Sequence, residues 1–303
     1  MVGYLFDDIF IMHDTKNHIE NKNRVLVIDE IAKNLDLIKL PIYKARKEDL
    51  YLIHKKDYVD WVESAYENGY RVILNEDTVL SPFSYEVALF AAGSTLNVLK
   101  AFKDNRITRA FLNIRPPGHH AQKETGQGFC IFNNIAMMAK FAQNLGFKKV
   151  MIIDFDVHHG NGTQDIFYED NTVFFFSTHE KNNYPYFTGS ENETGLGAGE
   201  CYNLNRPYDD YCDDETLLRL YDDLPKWFDF DILLVSAGYD LMKDELISTA
   251  QITFDGLREL IRKILDFSKN RPVAFLLEGG YNLDSLARSV EITLDELINY
   301  NGK

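Results

Sequence analysis

The stretch VMIIDFDVHHGNGTQ, residues 150–164, decides the fold, because a short apolar run leads there into a dense group of ionisable side chains. Residues 150–153 are apolar at every position, a pattern typical of a strand buried on both faces of a parallel sheet. The next six positions contain Asp154, Asp156, His158 and His159. Carboxylates and imidazoles are costly to bury unless a partner binds them. We therefore expect this strand to end at a functional site.

Four other apolar runs have the same character, at residues 109–117, 172–178, 231–240 and 272–281. Segments with apolar residues every three or four positions lie before or between the runs, at 84–103, 132–145, 214–227 and 253–268. Alternating strands and helices predict an α/β protein, with helices on both faces of a mainly parallel sheet. Since the chain has no internal repeat, low-complexity tract or linker-like stretch, we expect a single domain over residues 1–303.

The composition limits the possible partners. The 303 residues include 32 Lys and Arg against 47 Asp and Glu, a formal net charge of −15. Such a charge repels nucleic-acid phosphates and attracts cationic substrates such as polyamines or lysine-rich peptides, although it also simply favours solubility.

The first residues show no signal-peptide pattern, and no apolar run reaches the roughly 18 residues that span a membrane. Cys130, Cys201 and Cys212 form no CxxC pair, which favours a reducing compartment. We expect a cytoplasmic protein that binds neither nucleic acid nor membrane, and no feature predicts its oligomeric state.

Polar residues follow the apolar runs where each one stops. The runs end, in chain order, in RPPGHH, DFDVHHGNG, STH, AGYD and EGGYN. These five stretches contain five of the eight histidines. In open α/β sheets the ligand crevice lies outside the carboxyl ends of the strands. We therefore expect these side chains to share one pocket.

A metal site is the first function that these strand ends suggest. Asp154, Asp156 and His158 lie on one face of an extended chain, because alternate residues point to the same side. A carboxylate with a neutral imidazole suits Zn²⁺, Mn²⁺ or Fe²⁺, whereas DxDxH alone is also compatible with a hydrogen-bonded core network. Asp240, at the end of another strand, supplies a third ligand. Three protein ligands leave a coordination position open, as in catalytic sites.

Proton transfer is the second function, carried by His119 and His120 in the rigid RPPGHH loop. Histidine titrates near neutral pH, and Asp154 could fix the tautomer of one ring, although a surface pair is the alternative. Tyr281 follows a Gly-Gly hinge and could donate its hydroxyl to a developing oxyanion, although alone it reads as a core tyrosine. Gly128 and Phe129 could form one wall of a narrow apolar channel.

The motifs together resemble the zinc-dependent histone deacetylase superfamily. They are RPPGHHA, GFCIFNN, DFDVHHGNGTQ, STH, SAGYD and LEGGYN, in this order. The similarity runs from His18 in HIENKNR to Asn282 and extends to class II-like enzymes and to bacterial and archaeal acetylpolyamine amidohydrolases and acetoin-utilisation-type deacetylases. It implies the three-layer α/β/α arginase/deacetylase fold, built around a mainly parallel eight-stranded sheet.

The resemblance also implies roles for individual residues. The zinc ligands would be Asp156, His158 and Asp240. The acid–base group would be His119, His120 and Asp154, with Tyr281 polarising the carbonyl. A structural potassium ion would be bound by Asp154, Ser177 and Thr178 together with backbone oxygens of Asp156 and His158. The substrate would contact Gly128, Phe129 and Tyr186 in a tunnel and Asp77 and Ile247 at its rim, where Asp77 could equally be an ordinary loop acid.

The implied reaction is the removal of acetyl or related acyl groups from acetylated amines, acetyl-lysine side chains or acetylpolyamines by one zinc ion per chain. Asn161 stands where some branches of the family have Asp. The second histidine, His120, would then have a neutral rather than an anionic partner, which should lower its pKa. The LMKDELIST segment after Asp240 departs from the family's usual turn, which affects the rim.

Two alternatives are a binuclear manganese ureohydrolase of the arginase type, which needs further Asp ligands, and a non-catalytic acetyl-lysine reader, although every catalytic position is filled.

Overall fold

A computed structural model describes residues 1–67, 72–75 and 77–300 of the chain. Its strands are β1 Val2–Leu5, β2 Ile38–Lys39, β3 Val72–Leu74, β4 Thr78–Leu80, β5 Arg109–Leu112, β6 Val150–Asp154, β7 Val173–Glu180, β8 Asn203–Tyr208, β9 Ile232–Ala237 and β10 Val273–Leu277. Eight of them form one sheet in the order β2-β1-β5-β10-β9-β6-β7-β8. Every pairing in this sheet is parallel, while β3 and β4 form a separate antiparallel pair.

Helices cover both faces of the sheet. They are α1 Asn23–Ala32, α2 Lys47–Leu50, α3 Lys56–Glu67, α4 Ser84–Lys103, α5 Asn134–Asn144, α6 Asn161–Phe167, α7 Asp214–Leu220, α8 Phe254–Ser268 and α9 Leu283–Asn299. Alternate residues of β6 enter two different cores: Val150 and Ile152 pack with α4 and α5, whereas Met151 and Ile153 pack with α8 and α9. The expected α/β/α architecture with a strand buried on both faces is therefore confirmed.

The strand order explains why the site forms. The five predicted strands are neighbours in the sheet in the order β5, β10, β9, β6 and β7. This order differs from their order in the chain. Since all of them are parallel, their carboxyl ends meet at one edge. The loops carrying the two histidine pairs, Asp240 and Tyr281 all leave from that edge, which is where ligands bind in such sheets.

Some sequence-based boundaries differ from the structure. The helix expected over 214–227 is wrong beyond Leu220, where a single 3₁₀ turn, Tyr221–Asp223, replaces it. Pro225 explains the early end, since proline disfavours the helical conformation of the residue before it. Helix α5 starts at Asn134 because Asn133 caps it, its side chain accepting the N–H of Ala136.

Within the described ranges, no helix is long and apolar enough to cross a membrane.

Candidate metal centre and catalytic site

Asp156, His158 and Asp240 form a buried cluster at the carboxyl edge of the sheet. Their ligand atoms lie within 4.8 Å of one another. His158 Nδ1 is 3.0 Å from Asp156 Oδ1 and 3.2 Å from Asp240 Oδ2. The three residues predicted from two separate strand ends are thus brought together as one metal site.

The electrostatics of this cluster fit a cation. Burial disfavours a charged imidazole, but a hydrogen bond to Asp156 and the nearby negative charge of Asp240 outweigh it and raise the pKa of His158 to about 10. A proton on Nδ1 then occupies the position between two carboxylates where a metal ion would bind. Asp240 Oδ2 is buried and meets no donor in hydrogen-bonding geometry among residues 1–67, 72–75 and 77–300. A carboxylate oxygen without a donor is what a metal ligand requires.

Two glycines leave space for these carboxylates. A Cβ on Gly238 would lie 1.9 Å from Asp156 Oδ2, and one on Gly279 would lie 2.0 Å from Asp240 Oδ2. The Gly279 N–H also donates to Asp156 Oδ2 at 2.8 Å. The small residues in SAGYD and LEGGYN therefore permit the close approach of the metal ligands, which any side chain would prevent.

His119 lies beside the cluster and is held by Asp154. Its Nδ1 is 3.0 Å from Asp154 Oδ2, and its Nε2 is 3.8 Å from Asp156 Oδ2. Burial opposes a charge on the ring, but the negative charges of Asp156, Asp154 and Glu278 raise the pKa of His119 to about 10. Asp154 Oδ1 accepts the N–H of Asp156, so one carboxylate orients both the histidine and the start of the metal-binding loop.

His120 has the opposite protonation preference. Burial and the nearby His119 and His158 lower its pKa well below the usual histidine value. Its Nδ1 is 2.8 Å from Asn161 Oδ1, a neutral acceptor, and the centroids of the His119 and His120 rings are 3.9 Å apart. Two adjacent imidazoles, one favouring the charged form and one the neutral form, can serve as an acid and a base.

Glu278 is a buried residue of this site that sequence reasoning missed. Its carboxylate accepts the N–H groups of Gly118 at 2.7 Å and His119 at 3.1 Å, and burial raises its pKa to about 7. It thereby fixes the backbone that carries the histidine pair. An acidic residue directly after the apolar run 272–277 was the available signal, because such a residue is rarely buried without a specific partner.

Tyr281 contacts the ring of Phe129 and the guanidinium of the buried Arg24. Its ring is edge-on to Phe129, with centroids 5.8 Å apart, and the guanidinium carbon of Arg24 lies 4.8 Å from its centroid. Arg24 also donates to the carbonyls of Gly280, at 2.7 Å, and Glu278. Arg24, missed by sequence reasoning, therefore supports the loop that carries Tyr281.

Three residues lie where the sequence predicts one wall of an apolar channel: two expected residues, Gly128 and Phe129, and an unexpected tyrosine. Gly128 and Phe129 lie beside His120 and Tyr281, as the sequence suggests, and both have positive φ, +54° and 68°. The second aromatic ring is Tyr184, whose centroid is 5.0 Å from His120 and 6.3 Å from His158. Tyr184 was missed because the sequence analysis singled out Tyr186, two residues later.

Tyr186 does not occupy the position that the sequence assigned to it. Its side chain is 64% exposed, and its ring lies against Tyr184, with centroids 6.3 Å apart, rather than against the histidines. The loop after β7 turns at residues 183–186, where the Tyr186 N–H donates to the Asn183 carbonyl at 2.9 Å; Tyr184 faces His120, while Tyr186 is exposed. Ile247 is half-buried in the loop after Asp240.

The side chains of Ser177, Thr178 and His159 contact residues outside the Asp156–His158–Asp240 cluster. Ser177 is the register partner of Asp154 on the neighbouring strand, and its hydroxyl is 2.9 Å from His179 Nδ1. The hydroxyl of Thr178 is 3.0 Å from that of Tyr221. His159 points away from the cluster, with Nδ1 2.8 Å from Thr188 Oγ1.

Comparisons with known proteins agree with this geometry. The family model described as "Histone deacetylase domain" matches residues 18–297. Histone deacetylase 5 of Arabidopsis thaliana is 34% identical over 97% of this chain and 49% of its own length. A probable deacetylase of Archaeoglobus fulgidus is 33% identical over 94% of this chain and 82% of its own. The crystal structure of the HDA15 HD domain superposes with a TM-score of 0.93 at 28% identity, covering 98% of this chain and 91% of that one.

The chain spans about half the length of the two Arabidopsis relatives with which it shares 34% and 33% identity. The matched region nevertheless contains the complete Asp-His-Asp cluster and the loops around it. The sequence, the all-parallel sheet and the metal site together place the chain in the histone deacetylase family.

Proposed function

We propose that the protein is a zinc-dependent amide hydrolase that removes acetyl or related acyl groups from acetylated amines, including acetyl-lysine side chains and acetylpolyamines. The observation that carries the proposal is the convergence of a buried Asp-His-Asp cluster with two histidines of opposite protonation preference. Hydrolysis of an amide needs a Lewis acid, a base for water and an acid for the leaving amine, and these residues can supply all three.

Asp156, His158 and Asp240 would hold the zinc ion. When bound, zinc polarises an acyl carbonyl and lowers the pKa of water toward ~7. The described residues contain a single cluster of this kind, which gives no support to the binuclear manganese alternative. Membership of a hydrolase family with the ligands in place likewise favours an enzyme over a non-catalytic reader.

The histidines would divide the proton transfers. His120 donates from Nδ1 to Asn161, which leaves Nε2 to accept a proton from the attacking water. His119, whose charged form is favoured by Asp156 and Asp154, would donate a proton to the leaving amine from Nε2. The hydroxyl of Tyr281 would donate to the developing oxyanion. The acyl C–N bond breaks, and the products are a carboxylate and an amine.

A potassium ion would stabilise the same loops. Its ligands would be Asp154, Ser177 and Thr178 with backbone oxygens of Asp156 and His158. The register that places Asp154 beside Ser177 on adjacent strands supports this proposal. A cation there would offset part of the negative charge of the buried carboxylates.

The substrate class is best tested with a panel. Zinc-loaded protein would be assayed with N-acetylputrescine, N⁸-acetylspermidine, acetyl-lysine peptides and peptides with longer acyl groups. We expect hydrolysis of at least one acetylated amine and a loss of ~10²–10³-fold in kcat on Tyr281→Phe, the usual effect of removing one oxyanion donor. The exposed Tyr211→Phe is the matched control. Absence of hydrolysis across the panel, with chelation changing nothing, would refute the proposal.

A further inference from the structure

Glu245 binds the backbone of the loop that carries Tyr281. It lies five residues after the metal ligand Asp240, in the loop that follows β9. Its two carboxylate oxygens accept the N–H of Tyr281 at 3.0 and 2.9 Å, and its Oε1 also accepts the N–H of Asn282 at 2.8 Å. Hydrogen bonds from backbone N–H groups to a carboxylate are among the stronger ones in proteins.

The segment that receives these bonds needs an external restraint. Tyr281 follows Gly279 and Gly280, and Gly280 has φ +110°, a conformation that glycine adopts freely and other residues rarely do. A Gly-Gly pair therefore gives the tyrosine wide conformational freedom. Helix α9 begins only at Leu283, so the regular structure that follows does not include Tyr281 itself.

Two side chains of opposite charge bind the backbone of this segment, one at its carbonyl groups and one at its N–H groups. Arg24 donates to the carbonyls of Glu278 and Gly280 and covers the Tyr281 ring. Glu245 accepts the N–H groups of the two residues that follow. The guanidinium thus binds carbonyl oxygens and the carboxylate binds N–H groups of one short stretch, so both side chains restrain its backbone.

We propose that Glu245 is a positioning residue that holds Tyr281 where its hydroxyl can donate to the acyl oxygen. The loop after the metal ligand Asp240 thereby couples the metal centre to the oxyanion donor. This inference rests on the proposed amide hydrolase function, because it assigns Tyr281 its role there. Misplacement of a reacting group by about 1 Å can cost ~10²-fold in rate.

Backbone exchange tests the restraint without relying on activity. In the full chain, Glu245→Ala should raise hydrogen–deuterium exchange of the 278–283 segment, whereas Asp244→Asn should not. Asp244 is the matched control because it is exposed in the same loop and loses the same charge. Unchanged exchange in folded Glu245→Ala protein would overturn the inference.

Kinetics test the role in the reaction. With an acetylated amine that the wild type hydrolyses, we expect Glu245→Ala to lower kcat by ~10–100-fold with little change in KM. Glu245→Gln keeps Oε1 as an acceptor and should lose less, and it replaces the alanine variant if that one fails to fold. In a Tyr281→Phe background, Glu245→Ala should have almost no further effect, since its role acts through the hydroxyl.

The outcomes separate the two ideas. Equal losses from Glu245→Ala in both backgrounds, or an equal loss from Asp244→Asn, would overturn the positioning role while leaving the hydrolase standing. If the wild type hydrolyses no acetylated amine, the proposed function fails, and the exchange experiment alone then decides whether Glu245 restrains the segment.

Discussion

Both carboxylate oxygens of Asp77 accept the backbone N–H of Gly128, at nitrogen–oxygen distances of 3.0 and 3.1 Å. The sequence suggested a rim acid that contacts the substrate directly. In the structure the carboxylate binds the backbone of Gly128, and the Thr78 hydroxyl donates to it at 2.7 Å. Thr78 Oγ1 in turn accepts the N–H of Phe129 at 2.9 Å. Asp77 and Thr78 therefore hold the backbone of Gly128 and Phe129 beside His120, whereas contact with the substrate remains a prediction.

Asp77→Asn should weaken this wall, because an amide retains one acceptor oxygen and brings a donor toward the Gly128 N–H. A loss of about 1 kcal/mol, part of the roughly 1.5–3 kcal/mol that a hydrogen bond to a charged group contributes, should raise KM for an acetylated amine by about 3–10-fold. Steady-state kinetics measure this effect. Asp57→Asn removes the same charge from an exposed side chain. Equal effects of the two substitutions would contradict the expectation.

Gly128→Ala should damage the site for two separable reasons. Gly128 has φ +54°, and a Cβ there would lie 2.3 Å from His120 Cδ2. The backbone strain alone costs roughly 1 kcal/mol, while the contact would displace the His120 ring. We expect a fall of ~10²-fold or more in kcat/KM.

Gly197→Ala is the control for this substitution. Gly197 has a similar φ, +59°, but a Cβ there would meet nothing within 4 Å. It should therefore lower the melting temperature slightly and leave the kinetics unchanged. A comparable loss of activity in both variants would show that backbone strain, rather than contact with His120, is responsible.

Asn161→Asp should raise the pKa of His120. The imidazole currently faces a neutral amide oxygen, and a nearby carboxylate typically raises a histidine pKa by about 1–3 units. If His120 must be neutral to accept a proton, the acidic limb of the kcat/KM profile should move to higher pH. The exposed Asn192→Asp should leave the limb in place. An unmoved limb in Asn161→Asp would argue against His120 as the base.

Metal binding should stabilise the folded protein through Asp240. An ion that binds only the folded state adds about 2.7 kcal/mol at 100 times its dissociation constant. We expect zinc to raise the melting temperature of chelator-treated wild type and to raise that of Asp240→Asn much less. The exposed Asp209→Asn should respond as the wild type does. Metal content per chain, measured by elemental analysis, should fall in parallel.

His54 should make stability depend on pH away from the site. It lies under Phe132, donates from Nδ1 to the Gln122 carbonyl at 2.8 Å and accepts the Asn133 N–H with Nε2 at 3.0 Å. Burial lowers its pKa to about 4, from an ordinary value of 6.5. Between pH 6.5 and 4 the unfolded chain binds a proton that the folded chain does not, so stability falls as the pH falls.

The expected loss is about 3 kcal/mol over that window, at about 1.4 kcal/mol per pKa unit. His54→Gln should be less stable at pH 7 but should lose less on acidification. Urea unfolding at pH 7 and pH 4.5 measures both effects. Parallel losses in the wild type and the variant would contradict the assignment to His54.

The five central strands were predictable because each is a continuous apolar run that stops at a polar cluster. Helix α4 was predicted with the same bounds that it has in the structure, Ser84–Lys103. Strands β1, β2 and β8 of the main sheet were missed, as were β3 and β4 of the separate pair. β2 has only two residues, and β8, NLNRPY, mixes polar residues with a proline, so neither shows the apolar pattern of a buried strand.

The site divides in the same way. Its metal ligands and histidines follow the central strands directly, and the sequence therefore indicated them. Their supports come from elsewhere in the chain: Arg24 binds a carbonyl 256 residues away, and Glu278 binds an N–H 160 residues away. No local pattern contains such a pairing.

The sequence by itself determined that the five central strands are buried and which ionisable residues stand at their ends, because continuous burial and strand termination are local properties of the pattern. Only the tertiary structure decided which loops meet, through a strand order that differs from chain order. It also decided that Tyr184 rather than Tyr186 faces His120, and that Asp77 and Glu245 bind backbone N–H groups of the site. Such choices depend on contacts between distant segments, where the cost of burying a charge is met only by the partner that folding brings to it.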